Sequence, residues 1–388
     1  MAATGTSPIP ITFEGASGSG RVATTALLAA MLKAHEQVSD LIFSPGRPPQ
    51  VEVHGQLIAV QAPALHLLSA DDTRHIAADL IGSNKQAITI LREQGSCDIS
   101  YGLPGVARFR VNVFIQRGSC AIVMRVIATS VPEFEALSLP PQLREVANLR
   151  HGIVLITGPR GSGKSSTLAA LLDQINEQQN CHIITVEDPI EFLHTHKRAT
   201  IHQRELHSDT PNAAMALRAA LRQAPKVILL GEMHDRETMQ LVLEAAETGH
   251  LVLSSLNTVD ATKAIERIVS SFAVTEQQAI RGRLAKTFRY IVSQRLLPRQ
   301  DGSGRIAAIE ILKSNPRTRE CVENGEGSSG DLFELMKDGF AEGMQTFDGE
   351  IEKLVRAGTV NLETALSHAS NPRELQNSLK TLNKPISD

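Results

Sequence analysis

The chain has 388 residues, 42% of them apolar, enough for two packed domains and a further small segment. Its 39 basic and 42 acidic side chains give a formal net charge of −3, so bulk electrostatics offers no reason to expect nucleic acid or anionic lipid as a partner. No run approaches the roughly 20 apolar residues that cross a bilayer, and the start MAATGTSPIPITFEGASGSG lacks both parts of a signal peptide.

A cytosolic protein without a direct membrane span is therefore expected. Cys97, Cys120, Cys181 and Cys321 form no C-x-x-C pair and read as reduced packing residues. Residues 1–24 read as a disordered tail. TTALLAAMLKAH then has the spacing of a short amphipathic helix, which opens a first domain over 25–135. DLIFSP, QVEVHGQLIAV, CDISYGL, ARFRVNVFIQR and CAIVMRVIA read as short strands between Gly and Pro turns, and DDTRHIAADLIGSNKQAITILREQG reads as one or two helices. The pattern is that of an antiparallel α+β unit. In ARFRVNVFIQ, Phe109, Val111, Val113 and Ile115 alternate as a core face, leaving Arg108, Arg110 and Asn112 opposite. Arg125 interrupts another apolar strand, where a salt bridge is its ordinary role. VPEFEALSLPPQL has no strong periodicity, so residues 136–149 are expected to be a linker.

From residue 150 to 388 the pattern changes to apolar runs separated by helical stretches. GIVLIT, HIITVED, KVILLGE and LVLSSLN suit strands buried on both faces of a parallel sheet, hence an α/β domain. Ligands of such sheets sit beyond the carboxyl ends of the strands. The residues that end the four runs fall there: the glycine loop after Thr157, Glu187 with Asp188, Glu232, and Asn257.

The loop GPRGSGKSS fits G-x-x-x-x-G-K-S/T. Gly158, Gly161 and Gly163 let the backbone curl so that its N–H groups face phosphate oxygens, with Ser162 and Ser166 completing the cradle. Lys164 would reach the β- and γ-phosphates of ATP, and the Ser165 hydroxyl would ligate Mg2+. Glu232, ending an apolar strand, is placed to orient or deprotonate the attacking water. Glu187, Asp188 and Glu191 in VEDPIEF are candidates for holding magnesium through water or for positioning the attack, surface charge or helix cap being the alternative. His250 is a candidate phosphate contact, although a histidine before a buried strand is ordinarily structural.

These segments carry a resemblance. GPRGSGKSSTLAALL, ITVEDPIEF, LLGEMHD, AAETGHLVLSSLNT, VSQRLLPR and GMQTFDGEI resemble the Walker A, Asp-box, Walker B, His-box and C-terminal segments of the type IV pilus retraction ATPases, the PilT/PilU family of secretion ATPases. The likeness runs from SDLIFSPGRPP at residue 39 to ASNPRELQ near residue 376. It implies a RecA-like P-loop ATPase domain preceded by a smaller PAS-like α+β domain, a homohexameric ring, and a cytoplasmic position at the inner face of the membrane. The partners it implies are an inner-membrane pilus platform protein and, as a candidate co-subunit, a paralogous retraction ATPase. It also implies that Glu232 and Glu191 are catalytic and that Arg110 and Arg125 reach the nucleotide when the domains close.

The chain departs from the family pattern in places. Arg160 replaces a threonine of the glycine loop, His234 an arginine, Asn257 a histidine, and Ala224 and Lys226 acidic residues. NPRTRECVENGE, residues 315–326, matches poorly a family segment linked to retraction. A hexameric Mg-ATP motor for pilus retraction leads the reading; the alternatives are an extension or type II secretion ATPase, and a low-activity ring subunit beside a paralogue.

Overall fold

A computed structural model describes residues 8–11, 23–61, 67–127, 130–325 and 331–381. The chain divides into two compact units, Met1–Ser130 with His207–Asp209, and Val131–Leu206 with Thr210–Asp388.

The first unit contains strands β1 (Ile9–Pro10), β2 (Val38–Phe43), β3 (Gln50–Val53), β4 (Gln56–Gln61), β5 (Ser96–Leu103), β6 (Ala107–Gln116) and β7 (Ser119–Ile127), and helices α1 (Thr24–Lys33), α2 (Ala70–Ile81) and α3 (Lys85–Gln94). The seven strands form one sheet in the order β1-β4-β3-β2-β7-β6-β5, antiparallel except for β1 against β4. The segment DDTRHIAADLIGSNKQAITILREQG resolves into two helices because Gly82 takes φ 56° and the Asn84 side chain caps the next helix by accepting from the Ala87 N–H. The expected disordered tail is corrected at residues 8–11: Ile9 and Pro10 pair with Val60 and Gln61, and Ile11 is buried. Residues 1–7 and 12–22 of that tail lie outside the described ones.

The alternation of ARFRVNVFIQ holds for Phe109, Val111 and Val113, all fully buried, and fails at Ile115, which is exposed next to the β6–β7 turn. On the opposite face a row of paired residues crosses four strands: Ser100, Arg110, Arg125 and Asp40. Arg110 and Arg125 face each other directly, a like-charge pairing that costs stability unless it is compensated. Asp40 supplies the compensation, its buried Oδ1 accepting from the Arg125 Nε at 2.9 Å.

The second unit is built on strands β8 (Gly152–Thr157), β9 (His182–Glu187), β10 (Thr200–Glu205), β11 (Val227–Leu230), β12 (Leu251–Leu256), β13 (Phe288–Pro298) and β14 (Arg305–Lys313). Their order is β10-β9-β11-β12-β8-β13-β14, parallel apart from the β13–β14 hairpin. Its helices are α4 (Lys164–Gln178), α5 (Ala213–Ala220), α6 (Arg236–Glu247), α7 (Ala261–Ser270), α8 (Val274–Thr287), α9 (Pro316–Asn324), α10 (Leu332–Asp338), α11 (Phe347–Arg356), α12 (Leu362–His368) and α13 (Pro372–Thr381). The apolar runs are continuous because both faces are covered: Ile153 and Leu155 of β8 enter one core, Val154 and Ile156 the other. The RecA-like and PAS-like architectures that the resemblance implied are both present.

The expected linker, residues 136–149, is corrected. Pro141–Asn148 forms a 3-10 helix whose Leu143, Val146 and Ala147 are buried in the same core as Leu168, Leu171 and Ile175 of α4. The segment is part of the second unit's hydrophobic interior.

Candidate active site

The parallel sheet sets the site. β12 lies between β8 and β11, so the tips of these three strands present the glycine loop, Asn257 and Glu232 side by side.

Gly158, Gly161 and Gly163 have φ of 150°, 78° and 89°, a region that L side chains rarely occupy. Space adds to this at two of the three: a Cβ on Gly158 would stand 2.4 Å from the Gln294 carbonyl oxygen, and one on Gly163 would stand 2.8 Å from Gln294 Nε2, whereas Gly161 has open space around it. Gly163 starts the 15-residue helix α4 with no side-chain cap on its first N–H groups. Buried in the loop, Ser162 Oγ has no hydrogen-bond partner. An uncapped helix end, a loop restricted to glycine and an orphaned hydroxyl together fit an anion seated on the loop.

Lys164 donates from Nζ to the carbonyls of Gly158 (2.9 Å) and Pro159 (3.1 Å). Burial pushes its ammonium pKa down, the negative charges of Glu232 and Glu191 push it back up, and Arg160 adds to the lowering. Of the four carboxylates that the sequence singles out, Glu232 and Glu191 are the two whose charge acts on the lysine. Ser165 and Ser166 lie half-buried in the first turn of α4 behind it.

Glu232 is held from both sides by β12. The Gly231 carbonyl accepts from Ser255 Oγ at 2.6 Å, and the Met233 N–H donates to the Ser255 carbonyl at 3.1 Å. Its carboxylate Oε1 accepts from the Asn257 amide and lies 3.4 Å from His234 Nδ1. Two of the residues that depart from the family pattern thus stand at the same oxygen.

On the other side, Glu187 Oε1 accepts from Thr185 Oγ1 at 2.6 Å and from Gln203 Nε2 at 3.2 Å; Asp188 follows it, exposed, at the tip of β9. Glu191 is carried on a loop pinned at both flanks by β10, a strand the sequence reading did not recognise. The Ile190 N–H donates to Glu205 Oε2 (3.0 Å), and Gln203 donates to the Phe192 carbonyl (2.9 Å) while accepting from the His194 N–H (2.9 Å). Buried Glu205 and half-buried Gln203 are polar residues in a strand, and that is the signal that marks them.

His250 is corrected. It precedes β12, whose carboxyl end bears Asn257, so the six residues of that strand separate it from the crevice by about 20 Å. Its ring Nδ1 lies 2.9 Å from the Ala245 carbonyl and 3.2 Å from Thr248 Oγ1, a structural role at the end of α6. Arg110 and Arg125 belong to the first unit, on the charged row described above. Among the described residues no group of three or more His, Cys, Asp or Glu side chains is arranged to hold a metal ion. A site made of one serine hydroxyl, distant carboxylates and phosphate oxygens would not form such a group.

Comparison with known proteins gives a consistent set of relatives. The family model described as Type II/IV secretion system protein matches residues 98–338. A twitching motility protein of Neisseria gonorrhoeae is 41% identical over 327 residues, covering 84% of this chain and 86% of that protein. The type IV pilus retraction ATPase PilT of Pseudomonas aeruginosa is 40% identical over 348 residues, 90% of this chain and 98% of that protein. The crystal structure of the pilus retraction motor PilT with bound ADP is similar with a TM-score of 0.82 at 38% identity, covering 91% of this chain and 98% of that one.

Proposed function

This chain belongs to the Type II/IV secretion system protein family, in its pilus retraction ATPase branch, and from that membership we propose that it hydrolyses ATP to ADP and phosphate as the ring-forming motor of type IV pilus retraction. The N–H groups of the glycine loop and the start of α4 bind the phosphates, and Lys164 exchanges the Gly158 and Pro159 carbonyls for phosphate oxygens. Ser165, with Glu187 and Asp188 through water, would hold magnesium, which supplies positive charge to the terminal phosphate. Glu232 orients and deprotonates the attacking water, with Glu191 assisting from the pinned loop. Arg110 and Arg125 answer the γ-phosphate and turn its loss into domain movement. The ring works beneath a platform protein at the inner face of the membrane; no helix among the described residues is long and apolar enough to cross a membrane.

The observation that carries this reading is the glycine loop itself, where positive-φ glycines, the uncapped start of α4 and the partnerless buried Ser162 hydroxyl fit an anion beside Lys164. Lys164→Ala tests it. Loss of both nucleotide binding and turnover is expected, because a methyl cannot replace a charge-assisted contact. Turnover at the unsubstituted rate would overturn it.

A second reading, a low-turnover subunit that works beside a paralogue, draws support from one contact. The Asn257 amide engages Glu232 Oε1, the oxygen that also faces His234. A carboxylate already satisfied is a weaker base.

A further inference from the structure

We propose that Gln294 is the positioning residue of the phosphate-binding loop, locking the Ser162–Gly163 peptide so that the Gly163 N–H is turned toward the bound phosphates. The inference rests on the ATPase reading above and adds to it a residue outside every motif that touches nucleotide.

Gln294 lies on β13, the strand next to β8, and is 3% exposed. Its two amide ends face different parts of the loop. Nε2 donates to the Ser162 carbonyl at 2.7 Å, and Oε1 accepts from Thr167 Oγ1 at 2.8 Å. One planar group thus ties the middle of the loop to the first turn of α4. The Ser162–Gly163 bond is trans, the one cis bond among the described residues being Asp188–Pro189. In a trans peptide the C=O and the following N–H point in opposite directions. With the Ser162 carbonyl held toward Gln294, the Gly163 N–H is directed away from the strand, to the side where an anion at the amino end of α4 would sit.

The clamp is needed because the loop cannot hold this peptide by itself. Gly161 and Gly163 flank Ser162, and glycines rotate at little cost. Ser162 and Thr167 are both buried, at 3% and 0% exposure, so water is not at hand to replace a lost amide. Without Gln294 the Ser162 carbonyl would be a buried acceptor with no donor, which favours a rotated peptide and a misdirected N–H. Strand and loop are also fitted to each other sterically, since a Cβ on Gly158 or on Gly163 would run into Gln294 itself.

The test uses the full-length protein carrying Gln294→Met, which keeps chain length and removes both hydrogen bonds. Three quantities are read: affinity for a fluorescent ATP analogue with magnesium, KM and kcat for ATP, and melting temperature without nucleotide. We expect affinity to weaken about tenfold or more, the scale set by one or two lost hydrogen bonds. KM should rise more than kcat falls, with the melting temperature within a few degrees. Thr167→Val, which removes one bond and leaves the Ser162 contact, should weaken binding in the same direction by less, and combined with Gln294→Met it should add little further. This second variant stands in where the first does not fold.

An affinity equal to that of the unsubstituted protein, or a fall in melting temperature with binding per folded molecule unchanged, would overturn the proposal and leave Gln294 as core packing. Lys164→Ala, run alongside, separates the two readings. If it abolishes binding while Gln294→Met binds normally, the positioning role alone fails; if Lys164→Ala also binds normally, the nucleotide site itself is misassigned.

Discussion

Glu310 on β14 should make the second unit less stable as pH rises, and Glu310→Gln should remove the effect. The carboxyl is 4% exposed, and its Oε1 accepts from the Ala261 N–H at the start of α7 and from Ser293 Oγ, each at 3.0 Å. Burial pushes its pKa from 4.5 to about 7; the two donors oppose the rise, Asp260 adds to it and Arg295 opposes it. Between pH 4.5 and about 7 the folded protein therefore keeps a proton that the unfolded chain has released. Fewer protons on the unfolded side mean that stability falls with pH. The contribution is complete below pH 4.5 and lost as pH passes about 7. A shift of this size corresponds to roughly 3 kcal/mol, at about 1.4 kcal/mol per pH unit. The glutamine carries no charge and still accepts from both donors. Glu310→Gln should match the parent near pH 5 and exceed it at pH 8 by up to roughly 3 kcal/mol, or about 6–12 °C in melting temperature. Thermal unfolding of both proteins at pH 5, 6, 7 and 8 gives the comparison. A difference that does not change across that range, or a variant less stable at pH 8, would mean that the Ala261 and Ser293 donors keep the carboxylate ionised in the folded protein.

Asn257→His retains a donor beside Glu232 and adds a charge that an amide cannot carry, so kcat should rise several-fold, about tenfold at most. The gain should fade above pH ~7 as the imidazole loses its proton; an unchanged or lower kcat in a pH-rate profile would identify Asn257 as an adapted catalytic residue or a bystander. Arg125→Ala should slow ATP turnover and, because it leaves the buried Asp40 carboxylate without its guanidinium, should also lower the melting temperature of the first unit by a few degrees. Arg110→Ala removes the like charge opposite Arg125 and should leave that temperature unchanged while slowing ATP turnover. Equal losses of stability in the two variants would remove the distinction between them.

What the sequence revealed depended on how strongly burial marks a segment. The strands β8, β9, β11 and β12 are covered on both faces, and their apolar runs announced them together with the crevice at their tips. β10 was hidden because TIHQRE is polar and lies at the sheet edge, with only Ile201 and Glu205 buried. Yet Gln203 and Glu205 on that strand hold the Glu191 loop in place. The role of Gln294, which stands inside the family-like segment VSQRLLPR, was hidden for a different reason. A single polar residue inside FRYIVSQRLLP has no periodicity of its own, and its partners are a backbone carbonyl and a threonine far away in sequence. The rule that places ligands beyond the carboxyl ends of parallel strands pointed to Asn257 and Glu232, which do meet at the tips of β12 and β11. Applied to strand direction, the same rule excludes His250, which precedes its strand. The segment 136–149 looked like a linker because a 3-10 helix repeats every three residues and shows no α-helical stripe.

ATP hydrolysis driven by Glu232 is tested most directly by magnesium-dependent turnover of purified protein beside Glu232→Gln, with ATP-analogue binding measured on both. The glutamine keeps the shape at the tip of β11 and loses the charge that activates water. Unchanged nucleotide affinity is expected, with turnover lower by about 10²-fold or more. Near-normal turnover in the glutamine variant would contradict the role of Glu232 and place the base elsewhere in the crevice.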